Sequence, residues 1–137
     1  MSRLTTRACY VAAALIVIAA GLLARRPEVG LPWAAAKYGG SLLWGAMVFF
    51  IVAALAVRWP LGRAALVAVI ASAAVEFSQL IHVEPLDAFR RSALGALLLG
   101  RTFSWWDVAC YWIGIAAAAL LTALLRALSA ASLQTRL

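Results

Sequence analysis

Six residues stand out for the chemistry their types and spacing could perform: Glu76, Gln79, Asp87, Arg90, Arg91 and Asp107. Glu76 is the sharpest case, a carboxylate inside the otherwise apolar run from Ala64 to Ile81. Placing a charge in hydrocarbon costs at least roughly 2.5–3.5 kcal/mol even on the mild insertion scale, so an intramembrane acid defaults to a functional hypothesis. Ala64, Ala68, Ser72 and Glu76 stand four apart, with Gln79 three further on. That spacing sets small and polar side chains on one helical stripe. Small residues permit close helix contact, so the stripe is expected to face other helices and not lipid.

Each candidate has a structural reading beside the functional one. Glu76 could receive a ligand group, or it could pin a neighbouring helix through an ion pair with Arg25, Arg26, Arg90 or Arg91. The Arg90-Arg91 pair offers planar forks suited to phosphate or carboxylate, and equally could snorkel at an interface. Arg25 and Arg26 simply end an apolar run. Ser104-Trp105-Trp106-Asp107 has capping-box character, with two tryptophans suited to head-group depth. Alternatively, Asp107 is a second site carboxylate opposite Glu76, and the two are then the candidate catalytic acid–base pair. His82, Glu84 and Asp87 are too irregularly spaced to read as metal ligands. A single histidine gives no convincing nucleophilic triad, and there is no Gly-rich phosphate loop. Neither metal nor cofactor is expected.

The elements that must position these residues are membrane helices. The chain has 137 residues, 66% hydrophobic and only 12% charged, which is far from soluble-domain composition. So few polar residues could not cover that much apolar surface in water. The net charge of +7 comes from basic residues lying mainly between apolar runs, as positions flanking membrane helices do. No basic stripe exists to read nucleic acid; attraction to anionic lipid head groups is the physical use of the excess charge. Cys9 and Cys110 have no metal-site spacing, and read as small apolar filler at opposite membrane faces.

The runs predict an all-α polytopic protein forming one integral membrane domain over residues 1–137. Spanning helices are expected at about 8–24, 38–57, 64–81 and 108–125, followed by a polar tail from Ser129 to Arg136. The first run resembles a signal peptide, but the chain after it is itself membranous, so a retained helix is expected. A short helix is expected over about 85–99, opened by Pro85 and Asp87. Its apolar part is too short to span, so it is re-entrant or interfacial. Ser92, Ala96 and Gly100 would give it one small packing face. Four crossings put loops one and three on the same membrane face, which gathers the polar residues at one mouth. Lysine and arginine divide about evenly between the two faces, so charge alone does not orient the chain; the reading places the termini in the cytoplasm.

Several blocks, in order, carry a resemblance. Lys37-Tyr38-Gly39-Gly40-Ser41 through Phe50, Val75-Glu76-Phe77-Ser78-Gln79-Leu80, Leu86-Asp87-Ala88-Phe89-Arg90, Leu94-Gly95, then Phe103 through Asp107 and Tyr111 resemble the bacterial domain-of-unknown-function family numbered 2809, small polytopic membrane proteins without an assigned activity. More distantly the chain is similar to VanZ-like membrane proteins, associated with teicoplanin resistance. These share a glutamate-x-x-glutamine pattern ending a helix, here Glu76 and Gln79, and an aspartate opening the next, here Asp107. This chain inserts Leu86–Leu99 between them and has Tyr111 where an asparagine is expected.

Three functions follow as expectations. The leading one is binding of an amphiphile with an anionic or polar head group, a membrane lipid or a lipid-linked envelope precursor. It would bind at a mouth formed by Glu76, Gln79, Asp87, Arg90, Arg91 and Asp107, in a multi-pass protein of the bacterial cytoplasmic membrane. The second is acid–base catalysis on a lipid-linked substrate by Glu76 and Asp107. The third is proton- or ion-coupled transport, for which a chain this small would need to form a homo-oligomer.

Overall fold

The computed structural model describes residues 2–134, the Leu133 side chain excepted. It contains six α-helices and, among the described residues, no strand. They are α1 (Arg3–Ala24), α2 (Trp33–Leu55), α3 (Leu61–Ser78), α4 (Glu84–Arg91), α5 (Ala93–Leu99) and α6 (Trp105–Gln134). Of these, α1, α2, α3 and α6 are long and apolar enough to cross a membrane. The fold is therefore the expected all-α, four-span arrangement, with two short helices where one was predicted.

The boundaries move for local reasons. Helix α1 starts at Arg3 because Ser2 caps it, its hydroxyl accepting from the Thr5 N–H. It stops before Pro27, after which Gly30 turns the chain at φ 68°. A side chain would be strained in that left-handed conformation. Pro60 leads directly into α3. Helix α3 then ends at Ser78, before the apolar run does, and residues 79–81 leave the helix. Helix α6 continues through most of the expected polar tail, with the Ser129 hydroxyl bonding the Leu125 carbonyl; Arg136 lies outside the described residues.

The single helix expected over 85–99 breaks at Ser92. That residue is extended, and its hydroxyl accepts from the Gly95 N–H, so it ends α4 and caps α5. Serine competes well at a cap and poorly in a helix interior. Ser92 and Gly100 are thus termini of α5 and not members of a packing face. The close approach belongs to Gly95, whose Cα lies against the Phe89 carbonyl so tightly that no Cβ would fit.

Helix α2 is the hub and packs against α1, α3 and α6. Its Phe49, Phe50, Ala53 and Ala54 meet Tyr10 and Ala14 of α1, Ala64 and Ala68 of α3, and Ile115 and Ala118 of α6 in one core. The α2–α6 crossing is backbone on backbone. Gly45 abuts the Tyr111 backbone and Gly114 abuts the Leu42 backbone, with no room for a Cβ at either. Where lipid supplies no hydrophobic drive between helices, such close packing holds them together. Two arginines tie α1 down at the terminal face: Arg7 Nε donates to the Ala54 carbonyl at 3.0 Å, and Arg126 donates to the Tyr10 hydroxyl.

Candidate functional site

The stripe on α3 faces inward. Ala64, Ala68, Ser72 and Glu76 are the buried residues of that helix, and Glu76 is 0% exposed. Both its carboxylate oxygens are occupied: Oε1 accepts the Ser104 backbone N–H at 2.8 Å, and Oε2 accepts from Gln79 Nε2 at 3.0 Å. The Tyr111 side chain is a further hydrogen-bonding neighbour. Among the described residues no arginine pairs with it, so the ion pair considered for Glu76 is not made.

The Ser104 bond explains the start of α6. In a capping box the acid three residues into the helix reaches back to the cap residue's N–H. Here Glu76 of α3 accepts that N–H from across the bundle, and Asp107, the residue in box position, instead accepts from Ser41 of α2, Oγ to Oδ1 at 2.8 Å. Each carboxylate therefore ties α6 to a different helix. Trp105 and Trp106 are about two-thirds exposed, as interfacial anchors would be, and Trp105 closes an aromatic cluster with Phe77 and Phe103.

Arg90 is 4% exposed and caps α3. Its Nη2 donates to the Ser78 carbonyl at 2.5 Å and its Nη1 to the Ile81 carbonyl at 2.9 Å, with Asp87 Oδ1 at 3.2 Å. The last carbonyls of a helix have no intrahelical partner, and a buried guanidinium with several donors satisfies them. Arg91, one position on, turns outward to an exposed pair with Glu84. Asp87 lies 3.7 Å from His82 as well as beside Arg90. Arg90, steadied by Asp87, thus docks α4 onto the end of α3, and Arg91 takes no part in that contact.

A cavity of about 380 Å³ opens beside this framework. Gln79 and Asp107 line it, whereas Glu76 holds Gln79 from behind. Its cations are Arg25, Lys37 and Arg101, and Asp107 is the carboxylate among them. Arg25 lies across Gly40, its Nε and Nη2 2.8 and 2.9 Å from where a Cβ would stand. Trp44 forms part of the wall, donating to the Leu97 carbonyl at 2.8 Å, with its ring 4.4 Å from that of Tyr111 and tilted against it by 44°. Deeper along α1 and α2 the wall is apolar, formed by Val17, Ile18, Leu22, Leu43 and Met47. Loops one and three do meet at one mouth. The second cavity lies at the opposite face, beside Arg3, Arg7, Arg58 and Trp59.

Sequence reasoning singled out Gln79 and Asp107 but passed over Lys37, Ser41, Trp44, Arg101 and Tyr111 as site members, and it considered Arg25 as a helix end or an ion-pair partner of Glu76. The available signal was the Lys37–Phe50 block, which carries Lys37, Ser41 and Trp44 on one α2 segment.

Residues 30–115 match the family model described as "Protein of unknown function (DUF2809)". The chain belongs to this family. The matched segment includes Lys37, Ser41, Trp44, Gln79, Arg101, Asp107 and Tyr111, while Arg25 and α1 lie before it. No solved structure matches the chain.

Proposed function

We propose that this protein binds an amphiphile with an anionic head group, a membrane lipid or a lipid-linked envelope precursor, in the cavity between α1, α2 and the start of α6. One observation carries the reading: the cavity changes character along its length. Val17, Ile18, Leu22, Leu43 and Met47 form an apolar stretch, and Arg25, Lys37 and Arg101 surround the polar end. Apolar chains partition into the first, and guanidinium and ammonium groups hold phosphate or carboxylate at the second. The guanidinium role passes from Arg90 and Arg91 to Arg25 and Arg101, because both Nη nitrogens of Arg90 are engaged by the Ile81 and Ser78 carbonyls and Arg90 does not line the cavity.

The setting that accompanies this reading is a multi-pass protein of the bacterial cytoplasmic membrane, acting in envelope maintenance or resistance. Its support is the likeness of Glu76, Gln79 and Asp107 to the VanZ-like pattern. Catalysis by Glu76 and Asp107 is the weaker reading, since both oxygens of Glu76 are engaged in holding the fold.

The test is titration of detergent-solubilised protein with dioleoylphosphatidylglycerol, wild type beside Arg25→Ala/Lys37→Ala. Each lost charge contact corresponds to roughly 1.5–3 kcal/mol, so affinity should fall at least tenfold in the double variant while helix content stays unchanged. Equal affinities in two folded proteins would contradict the proposal.

A further inference from the structure

Gln79 is 4% exposed, lines the cavity, and has an amide whose orientation is fixed by its neighbours. Its Nε2 donates to Glu76 Oε2 at 3.0 Å and to the Leu99 carbonyl at 2.8 Å. Turning the amide over would set its oxygen against two acceptors, so the nitrogen must occupy that side. The atom left over is Oε1, which is buried and has no partner among the described residues. A buried acceptor without a donor is costly, and folded proteins rarely tolerate one without a reason.

The surroundings are built to keep the amide in place. Gly100 adopts φ 67° and ψ −171°, a conformation essentially confined to glycine. A Cβ there would run into the Gln79 amide nitrogen. Removing that side chain lets the end of α5 close over Gln79 and bring the Leu99 carbonyl within its reach. A second acceptor, Asp107, lines the same cavity. The cavity therefore combines three cations with one buried acceptor that lacks a donor, Gln79 Oε1, since Asp107 Oδ1 already accepts from Ser41.

We infer that the head group bound here is an anionic one that also carries a hydroxyl, which displaces the side chains now covering Gln79 Oε1 and donates to it while the anion sits among Arg25, Lys37 and Arg101. This rests on the amphiphile reading and narrows it to polyol or sugar esters of phosphate. An ammonium could also donate, but it would enter a cavity whose lining cations exceed its carboxylates by two, three less one. A hydroxyl has no such repulsion. The inserted hydroxyl satisfies a buried acceptor that a methyl group would leave unpaired, and this kind of difference separates ligands of equal charge and shape.

Two lipids isolate the hydroxyl: dioleoylphosphatidylglycerol and dioleoylphosphatidylmethanol have the same chains and the same phosphodiester charge, and only the first has head-group hydroxyls. Native mass spectrometry of the full chain with equimolar mixtures reads the preference directly. For the wild type the expected ratio is about tenfold in favour of the glycerol lipid, equivalent to one well-placed hydrogen bond. Gln79→Met, similar in length and without the acceptor, should still bind the methanol lipid and bring the ratio close to one. A wild-type ratio near one, with both lipids bound, overturns the hydroxyl assignment and leaves the amphiphile reading standing. So does a folded Gln79→Met that keeps the preference. If neither lipid binds the wild type, the amphiphile reading itself fails. Should Gln79→Met not fold, the wild-type ratio alone decides.

Discussion

At the scale of single residues, the most informative group in the chain supports the site instead of forming it. Glu76 accepts the Ser104 N–H and the Gln79 amide, so it joins α3, α6 and the cavity-lining glutamine through one carboxylate. Glu76→Gln keeps the shape but sets an amide against two donors. Hydrogen bonds to charged groups contribute about 1.5–3 kcal/mol each, and stability in bicelles should fall by roughly that amount. An unchanged unfolding midpoint would show that the carboxylate does not hold the start of α6. Arg90 and Arg91 give an internal comparison. Arg90→Ala strips the end of α3 of its carbonyl partners and should lower stability by about 2–3 kcal/mol. Arg91→Ala breaks an exposed pair and should stay within about 0.5 kcal/mol of wild type. Similar losses in both would refute the division of roles between them.

At the scale of elements, what could be read in advance was whatever depended on neighbours in sequence. The inward stripe of α3 follows from small residues every fourth position, and the four spans follow from run length. The break at Ser92 was local too, but the residue was taken as a small packing position when its capping chemistry was what counted. Contacts between distant segments left no such trace. Ser104 gives its N–H to Glu76 across 28 positions, and Trp44 reaches the Leu97 carbonyl across 53. Nothing in a single sequence pairs such residues. Arg25 belongs to the same class, because its place in the cavity depends on Gly40 of the next helix. Gly40→Leu should therefore displace the Arg25 guanidinium and weaken anionic-lipid binding several-fold without unfolding the protein. Gly114→Leu, by contrast, forces α2 and α6 apart where backbone meets backbone. Overpacking of this kind costs about 1–3 kcal/mol or more, and should appear as a lower unfolding midpoint. Wild-type stability in Gly114→Leu would argue against the crossing as described.

At the scale of the whole molecule, α1, α3 and α6 pack around the hub α2, and α1 rests mainly on that hub. Helix α1 exposes Val11, Leu15, Ile16, Leu22 and Leu23, side chains compatible with acyl chains outside and beside the cavity. The polar end of the cavity draws on both α1–α2 and the α3–α6 connection, so the mouth exists only when all four long helices are assembled. On the proposed function, acyl chains would lie along α1 and α2 below a head group held by Arg25, Lys37 and Arg101. The most direct test is photo-crosslinking with a phosphatidylglycerol carrying a diazirine in one acyl chain, followed by peptide mapping. Labelling is predicted at the Val17–Leu22 and Leu43–Met47 segments, and unlabelled phosphatidylglycerol should compete it away. Label spread over the outward faces of α3 and α6, and insensitive to competitor, would mean that the lipid is only solvent and that the cavity serves another purpose.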